Sequence, residues 1–439
     1  MAEFRSDRIY RAGDVIVDDV TIISYSGFRL DLRKMVSDFS IYEDIYSNCL
    51  SGSLVFSDSM NLVRNTPIVG DEDLFITFYT PGVDSIPRKV RFKIFKISTY
   101  VRGASPNAIA VRLEFVSHMT EISIRTKLNR VMKNLTFAEM ATAIHNQFRE
   151  APSRDETEKV KELQTEDTFG KSTVILPNWS PLYAINWFAH RAVSLQNTSI
   201  ADYLYYETLD GFRFRSISSL KLQNPVCTYK SAPGGFRSIG GDRMIESELR
   251  NITSYSVRDL GDKLKETSMG VYASSMLVHQ MTNKSYYSQL YSYKSKFNQT
   301  PHLNKGRMVV YDNPVQDKFL SHTKYYSKNY FQFDDLQDTS FIDIAQSRQS
   351  LLNQMNAMTL VIDVYGDSTI RVGNIINVEF FSQEYTKDKN DFLDSYLSGK
   401  YMITSILHNI VDGVHTMRMT IARDSYYEYL PDKKAQELK

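Results

Sequence analysis

The side chains of this 439-residue chain that could do chemistry are few and far apart. His408 and His415 flank an Asp412-Gly413 turn, so a hairpin there places both imidazoles on one face. Two imidazoles could begin a metal site, but that face offers no cysteine and no third ligand, so they read as histidines at the edge of a core. Ser218-Ser219-Leu220-Lys221 matches the SxxK pattern, in which a lysine can activate a serine. The pattern is short enough to recur by chance, and here it reads as a loop. No phosphate-binding GxxxxGK[ST] loop, no GxGxxG after a strand, no HExxH and no GxSxG elbow is present. With only Cys49 and Cys227, at most one disulfide can form and no zinc spacing exists. The expectation is a protein without catalytic, cofactor-binding or metal residues.

One segment departs from the composition around it. Residues 284–330 hold eight Lys/Arg against two Asp/Glu, with eight tyrosines. Such a surface could stack on single-stranded nucleic acid or contact sugars. The favoured reading is a protein interface with tyrosine anchors and solvated lysines. The chain as a whole carries 52 Lys+Arg against 51 Asp+Glu, so no global field argues for a nucleic-acid or membrane-surface binder. Residues 1–11 are charged, and no run approaches the ~20 apolar residues of a membrane span, so a soluble chain without membrane insertion is expected.

The elements that carry these residues are most legible from 338 to 424. Asp338-Thr339-Ser340 predicts a helix from about Phe341, with Ser340 and Asp343 as a capping box. Phe341, Ala345, Leu352 and Met355 form its apolar stripe, interrupted by Arg348, while Asp343, Gln346, Gln349, Asn353 and Gln354 cover the other face. A strand over 360–364 and another over 375–381 follow, separated by Arg371-Val372-Gly373-Asn374. Next come a polar excursion at 383–391 and a closing hairpin over 401–410 and 414–422. Asp-Gly suits a type I′ turn, which pairs Val411 with Val414, Ile410 with His415, His408 with Met417, Ile406 with Met419 and Thr404 with Ile421.

Residues 14–117 read as seven short strands, at 15–25, 29–32, 38–45, 53–56, 74–79, 89–101 and 108–116, which imply a barrel or sandwich. Val69-Gly70-Asp71 followed by a strand, a long strand and a final strand repeats the order seen after Val372-Gly373-Asn374. The chain therefore reads as two copies of one β-module. Between them lie a helix over 135–148, a charged stretch over 151–168 that reads as a solvated loop or a frayed helix, a helix over 182–195 opened by Pro181, and a hairpin over 202–217. The expected fold class is mainly β with α+β inserts: two tube-type β-barrels related as an internal repeat, each accompanied by a helix. The expected units are 1–120 for the first barrel, 121–242 for an α+β insert, 243–283 with 338–424 for the second barrel, 284–337 for the Tyr/Lys-rich insertion and 425–439 for a charged tail.

Several motifs together resemble the baseplate hub proteins of contractile-tailed, T-even-like phages, which are related to the hub part of VgrG-type spike proteins. They are Ala345-x-x-Arg348-x-x-x-Leu352, Arg371-Val372-Gly373, Ser398-Gly399-Lys400-Tyr401 and the closing hairpin, with Phe39-Ser40-Ile41-Tyr42-Glu43 early and Pro177-Asn178-Trp179-Ser180-Pro181 in the middle. The resemblance implies a homotrimeric ring of six quasi-equivalent barrels that adapts a sixfold tail tube to a threefold spike and leaves a channel for DNA. It implies a tail tube protein, a trimeric spike protein and other baseplate proteins as partners, the virion tail baseplate as location, and no enzyme activity. Phe341, Ala345, Arg348, Leu352 and Met355 would then line a junction with a neighbouring subunit. The chain closes on a short charged run after Asp432, so the spike is expected to be a separate polypeptide. The rival readings are a carbohydrate-binding tail-tip adhesin using 284–330, a cell-wall hydrolase component, and the hub of a phage-like injection or type VI secretion particle.

Overall fold

β-Branched and aromatic residues in period two dominate the first hundred positions, and all seven predicted strands form. In the computed structural model, which describes residues 9–427 apart from 25, 61, 66–67, 85–86, 103–108, 150–160, 232–241, 281–283, 309–321, 329–338, 382–392 and 395, they are β1 (Ile16–Ile23), β2 (Arg29–Asp31), β3 (Val36–Asp44), β4 (Ser51–Asp58), β5 (Asp73–Tyr79), β6 (Arg88–Arg102) and β7 (Ile109–Ser117). A short helix, α1 (Leu62–Asn65), follows β4, where Asp58 accepts the amides of Leu62 and Val63 at 2.9 and 3.2 Å. Alternate side chains such as Phe39, Ile41, Leu54, Leu74, Phe92 and Leu113 close a core from which water is excluded.

The middle of the chain is an α+β unit: α2 (His118–Arg125), β8 (Leu128–Leu135), α3 (Phe137–Arg149), β9 (Leu163–Thr165), β10 (Ser172–Trp179), α4 (Pro181–Ala189), β11 (Tyr203–Thr208), β12 (Gly211–Ser216), α5 (Ile217–Lys221) and β13 (Thr228–Ser231). Thr136 and Glu139 form a reciprocal capping box, 2.7 and 3.2 Å, which starts α3 two residues later than expected. Pro181 opens α4 as predicted, but the helix ends at Ala189 rather than near 195. The described part of the charged stretch is not a solvated loop: β9 pairs in parallel with β12, and Glu166 accepts from Ser216 and Tyr203. Its carboxylate is spent on backbone and hydroxyl donors, which periodicity does not reveal.

The last third contains α6 (Asp242–Leu249), β14 (Ile252–Leu260), α7 (Lys263–Ser268), β15 (Ala273–Gln280), β16 (Ser285–Ser292), α8 (Tyr293–Lys296), β17 (Gly306–Arg307) and β18 (His322–Lys328). After it come α9 (Thr339–Met355), β19 (Met358–Tyr365), β20 (Ile375–Phe380), β21 (Gly399–Val411), β22 (Val414–Arg423) and β23 (Ser425–Tyr426). Ser340 lies inside α9 and so does not cap it. Strand β15, expected to open the second barrel, instead stands between β16 and β18 in a separate three-stranded sheet, because Met276 and Val278 bury against Ile342 of α9. The predicted polar excursion at 383–391 and most of the charged tail lie outside the described residues, while Ser425 and Tyr426 pair with Arg307 and Gly306.

The large sheet carries the architecture. Its strands run β14-β19-β22-β21-β3-β4-β7-β6-β5-β1-β2, with β20 beside β21 and β13 beside β20. Split at the β21·β3 ladder, and with the three-residue β2 at its edge set aside, it yields two sets of six in the same order, β3-β4-β7-β6-β5-β1 and β14-β19-β22-β21-β20-β13. The sets differ at the last step, where β1 runs antiparallel to β5 but β13 parallel to β20. Each set encloses its own core. The repeat read from the sequence, β5-β6-β7 against β20-β21-β22, is thus half of a larger correspondence. The closing hairpin keeps the predicted register from Val411↔Val414 to Ile406↔Met419, with Asp412 and Gly413 at φ 49° and 79°. Beyond that a bulge at Thr404 shifts the ladder, so Ile403 rather than Thr404 faces Ile421.

Candidate functional site

The predicted interface residues sit on α9, which wedges between the second barrel, the middle unit and the small sheet. The Phe341 side chain lies outside the described residues. Ala345 packs beside Met276, Val278 and Ile342, while Leu352 and Met355 join the core of the second barrel. Arg348, the break in the stripe, is buried: its Nη1 donates to the carbonyls of Ala189 and Ala201 at 3.1 and 2.7 Å, and its Nη2 to Tyr203 at 3.0 Å. The guanidinium therefore covers the C-terminal end of α4, where orphan carbonyls and the helix dipole favour a cation. Burial pushes its pKa down to about 10, opposed by the charge of Asp202. The polar face is occupied within the chain, since Gln346 Nε2 donates to Ser274 O at 3.1 Å and Ser350 Oγ to Val271 O at 2.6 Å. One side of the helix stays open: Arg348, Leu352, Asn353 and Asn356 line a cleft of about 360 Å³ with Tyr46 and His190.

A second node lies where the two barrel halves join. His408 and His415 are fully buried and share a hydrogen bond of 3.1 Å between Nδ1 and Nε2. Glu43 stands 3.5 Å from the other side of His408 and accepts the Leu209 amide of the middle unit at 3.2 Å. Burial opposes ionisation of Glu43, but the hydrogen bond and charge of His408, then Arg371 and Lys161, hold its pKa below the usual range. Burial, then the charges of His408 and Arg371, hold the pKa of His415 well below its ordinary value. Arg371 forks onto Asp210 at 2.9 and 3.0 Å, tying the Arg371-Val372-Gly373 turn to the middle unit. Phe78 packs edge-on to His415. The histidines thus rivet three parts of the chain, and among the described residues no third ligand completes a metal site with them.

The SxxK pair is divided between different acids. Ser218 Oγ donates to Asp202 at 2.8 Å, whereas the Lys221 ammonium, fully buried, lies 2.8 Å from Asp424. Asp424 also takes the ring N–H of His302 at 2.8 Å. Burial works against its ionisation, yet Lys221 and His302 hold its pKa far below the carboxylate range. The lysine serves an ion pair, not the serine. Among the described residues, three potential metal ligands come together at Asp73, His118 and Glu121. There the Lys93 ammonium lies 3.6 Å from both carboxylates and Arg91 lies 3.1 Å from Asp73, so cations of the chain already balance the acids. Cys49 and Cys227 are free thiols.

Two solved structures superpose on almost the whole chain. The tail protein from Neisseria meningitidis MC58 covers 93% of this chain and 97% of its own, with TM-score 0.53 at 10% identity. The 43 kDa tail protein of prophage MuSo2 from Shewanella oneidensis covers 92% and 98%, with TM-score 0.52 at 9% identity. The chain has a tail-protein fold. The resemblance to baseplate hubs read from soft motifs is borne out at the level of architecture, although identity is low. No family model matches the sequence, and the search of curated proteins gives no match.

Within this tail-protein fold, the residues that bind the units together are partly ones the sequence reading passed over. Glu43 shares the parity of Phe39 and Ile41 on β3, which places a carboxylate on the apolar face. That parity was the available signal. Lys221, His302 and Asp424 come from positions more than 80 residues apart and carry no local signal of this kind.

Proposed function

We propose that the protein is a structural baseplate hub of a phage tail, a homotrimeric ring of six quasi-equivalent barrels. The carrying observation is the duplicated strand order, β3-β4-β7-β6-β5-β1 and β14-β19-β22-β21-β20-β13, within one polypeptide. Three such chains would present six similar barrels to a sixfold tail tube protein and a true threefold axis to a trimeric spike protein. The ring would leave an axial channel through which DNA passes without specific binding, in the baseplate of the virion and among other baseplate proteins. Extended buried networks that tie the units together suit a load-bearing part, and no enzymatic role enters this reading. The domain boundaries are those expected from the sequence, except that β13 joins the second barrel and β15 the insertion. In this reading α9 is first an internal brace; its contact with a neighbour is confined to the cleft beside Arg348, Leu352 and Asn353. Negative-stain images of the purified protein test the proposal: a ring with six lobes supports it, and isolated elongated particles overturn it.

A further inference from the structure

The two barrel halves meet in one place through backbone ladders, and that junction has two unfilled counterparts. Strand β21 pairs with β20 through Gly399–Met402, and where β20 ends its Ser405–Val411 edge is taken by β3. As a result the core-facing Phe39 and Ile41 of β3, and Ile406, His408 and Ile410 of β21, are all 3% exposed or less. In the matching strand order, β6 stands where β21 stands and β14 where β3 stands. Strand β6 pairs with β5 only through Arg88–Lys93, and among the described residues no strand takes the edge beyond Ile94. Among the described residues, strand β14 pairs with β19 alone.

The side chains record the missing neighbours. Tyr255 and Val257 of β14 lie opposite Ile362 and Leu360, both fully buried, so they point to the core face. They nevertheless remain 44% and 39% exposed. Tyr100 of β6 lies opposite the fully buried Val111 and is 47% exposed. Both strands carry two bulges, and Arg102 at the end of β6 lies opposite Ile109 on the core face. Over Ile94–Val101 and Tyr255–Val257 the inward side chains are apolar and no proline occurs, and such an edge recruits another strand unless covered. The two edges belong to different halves of the chain, so one molecule's β6 meets another's β14 head to tail. Such a heterologous contact gives a ring when its rotation closes and an open filament when it does not, and the ring reading requires closure.

We propose that the distal half of β6, residues 94–102, pairs antiparallel with β14 of a second copy of this chain, reproducing between subunits the β21·β3 ladder found within one. This rests on the ring reading above and names the surfaces that close it. The intrachain and interchain junctions then become quasi-equivalent, and six barrels share one continuous sheet.

The test is cysteine pairing in the full-length protein. Ser98→Cys is combined in turn with Ser254→Cys, Ser256→Cys and Arg258→Cys, and each double variant is oxidised and run without reductant beside the single variants. Val257→Lys, at a position already part exposed, is measured beside them by light scattering. The proposal expects a covalent trimer from at least one pair and none from the single variants, with Val257→Lys shifted from trimer to monomer and unchanged in circular dichroism. A particle of trimer mass in which no pair cross-links and Val257→Lys stays assembled overturns the edge pairing while leaving the ring. A wild-type particle of monomer mass overturns both.

Discussion

Replacing Arg348 by Met keeps the aliphatic stem of this side chain and removes its donors. Three backbone carbonyls, of Ala189, Ala201 and Tyr203, then lose a charged partner inside the protein. Hydrogen bonds to a charged group contribute ~1.5–3 kcal/mol each, a gross loss of roughly 5–9 kcal/mol. Against this, the variant no longer holds a desolvated guanidinium, which returns several kcal/mol. The net expectation is about 3 kcal/mol, felt locally, since the lost bonds fasten the end of α4 and the start of β11 to α9. At ~1.4 kcal/mol per tenfold change, that is roughly a hundredfold rise in local opening. Hydrogen exchange followed by mass spectrometry reads it directly: amides of residues 184–190 and 201–206 lose about two decades of protection, while those of β4 and β7 keep theirs. Unchanged protection at both α4 and β11 would refute the view that Arg348 braces the middle unit.

Three further outcomes follow from the buried networks. Lys221→Met strands the fully buried Asp424 carboxylate and is expected to cost about 3–5 kcal/mol; Lys221→Met with Asp424→Leu recovers much of this, and equal costs for the single and double variants in urea unfolding would contradict the pairing. A Cβ at Gly366 would sit 1.9 Å from Cγ of His415, so Gly366→Ala must push the ring off His408; a variant with wild-type unfolding midpoint would contradict that packing. His415 is held neutral in the fold while the unfolded chain protonates it near pH ~6.5, so the unfolded state binds more protons and stability falls as pH drops below that value. Unfolding midpoints at several pH values between 5 and 7.5 show this slope, shallower by about one proton in His415→Gln; identical slopes would remove His415 from the account. Glu43, whose pKa is lowered, adds a separate loss only near and below its own unfolded value of ~4.3.

The parts of this fold legible in the sequence were those governed by local periodicity and turn chemistry. Seven strands in the first barrel follow from alternation, and the closing hairpin from Asp412-Gly413, whose positive φ values only a type I′ pair tolerates cheaply. The bulge at Thr404 was not legible, because both registers bury an isoleucine against Ile421 or its neighbour. The sheet that β15 joins was not legible either, since the pattern of Met276 and Val278 states that a face is buried but not against what. Arg348 stands out in the sequence as a break in an apolar stripe, yet its partners are carbonyls more than 140 residues away, and carbonyls carry no sequence signature. The open edges of β6 and β14 become visible only when the two strand orders are compared.

The particle mass of the purified full-length protein by light scattering tests the central claim most directly. The account predicts three chain masses, three times 50.6 kDa, holding across dilution. A particle of one or two chain masses would contradict it, because two barrels per chain imitate a sixfold ring only when three chains close.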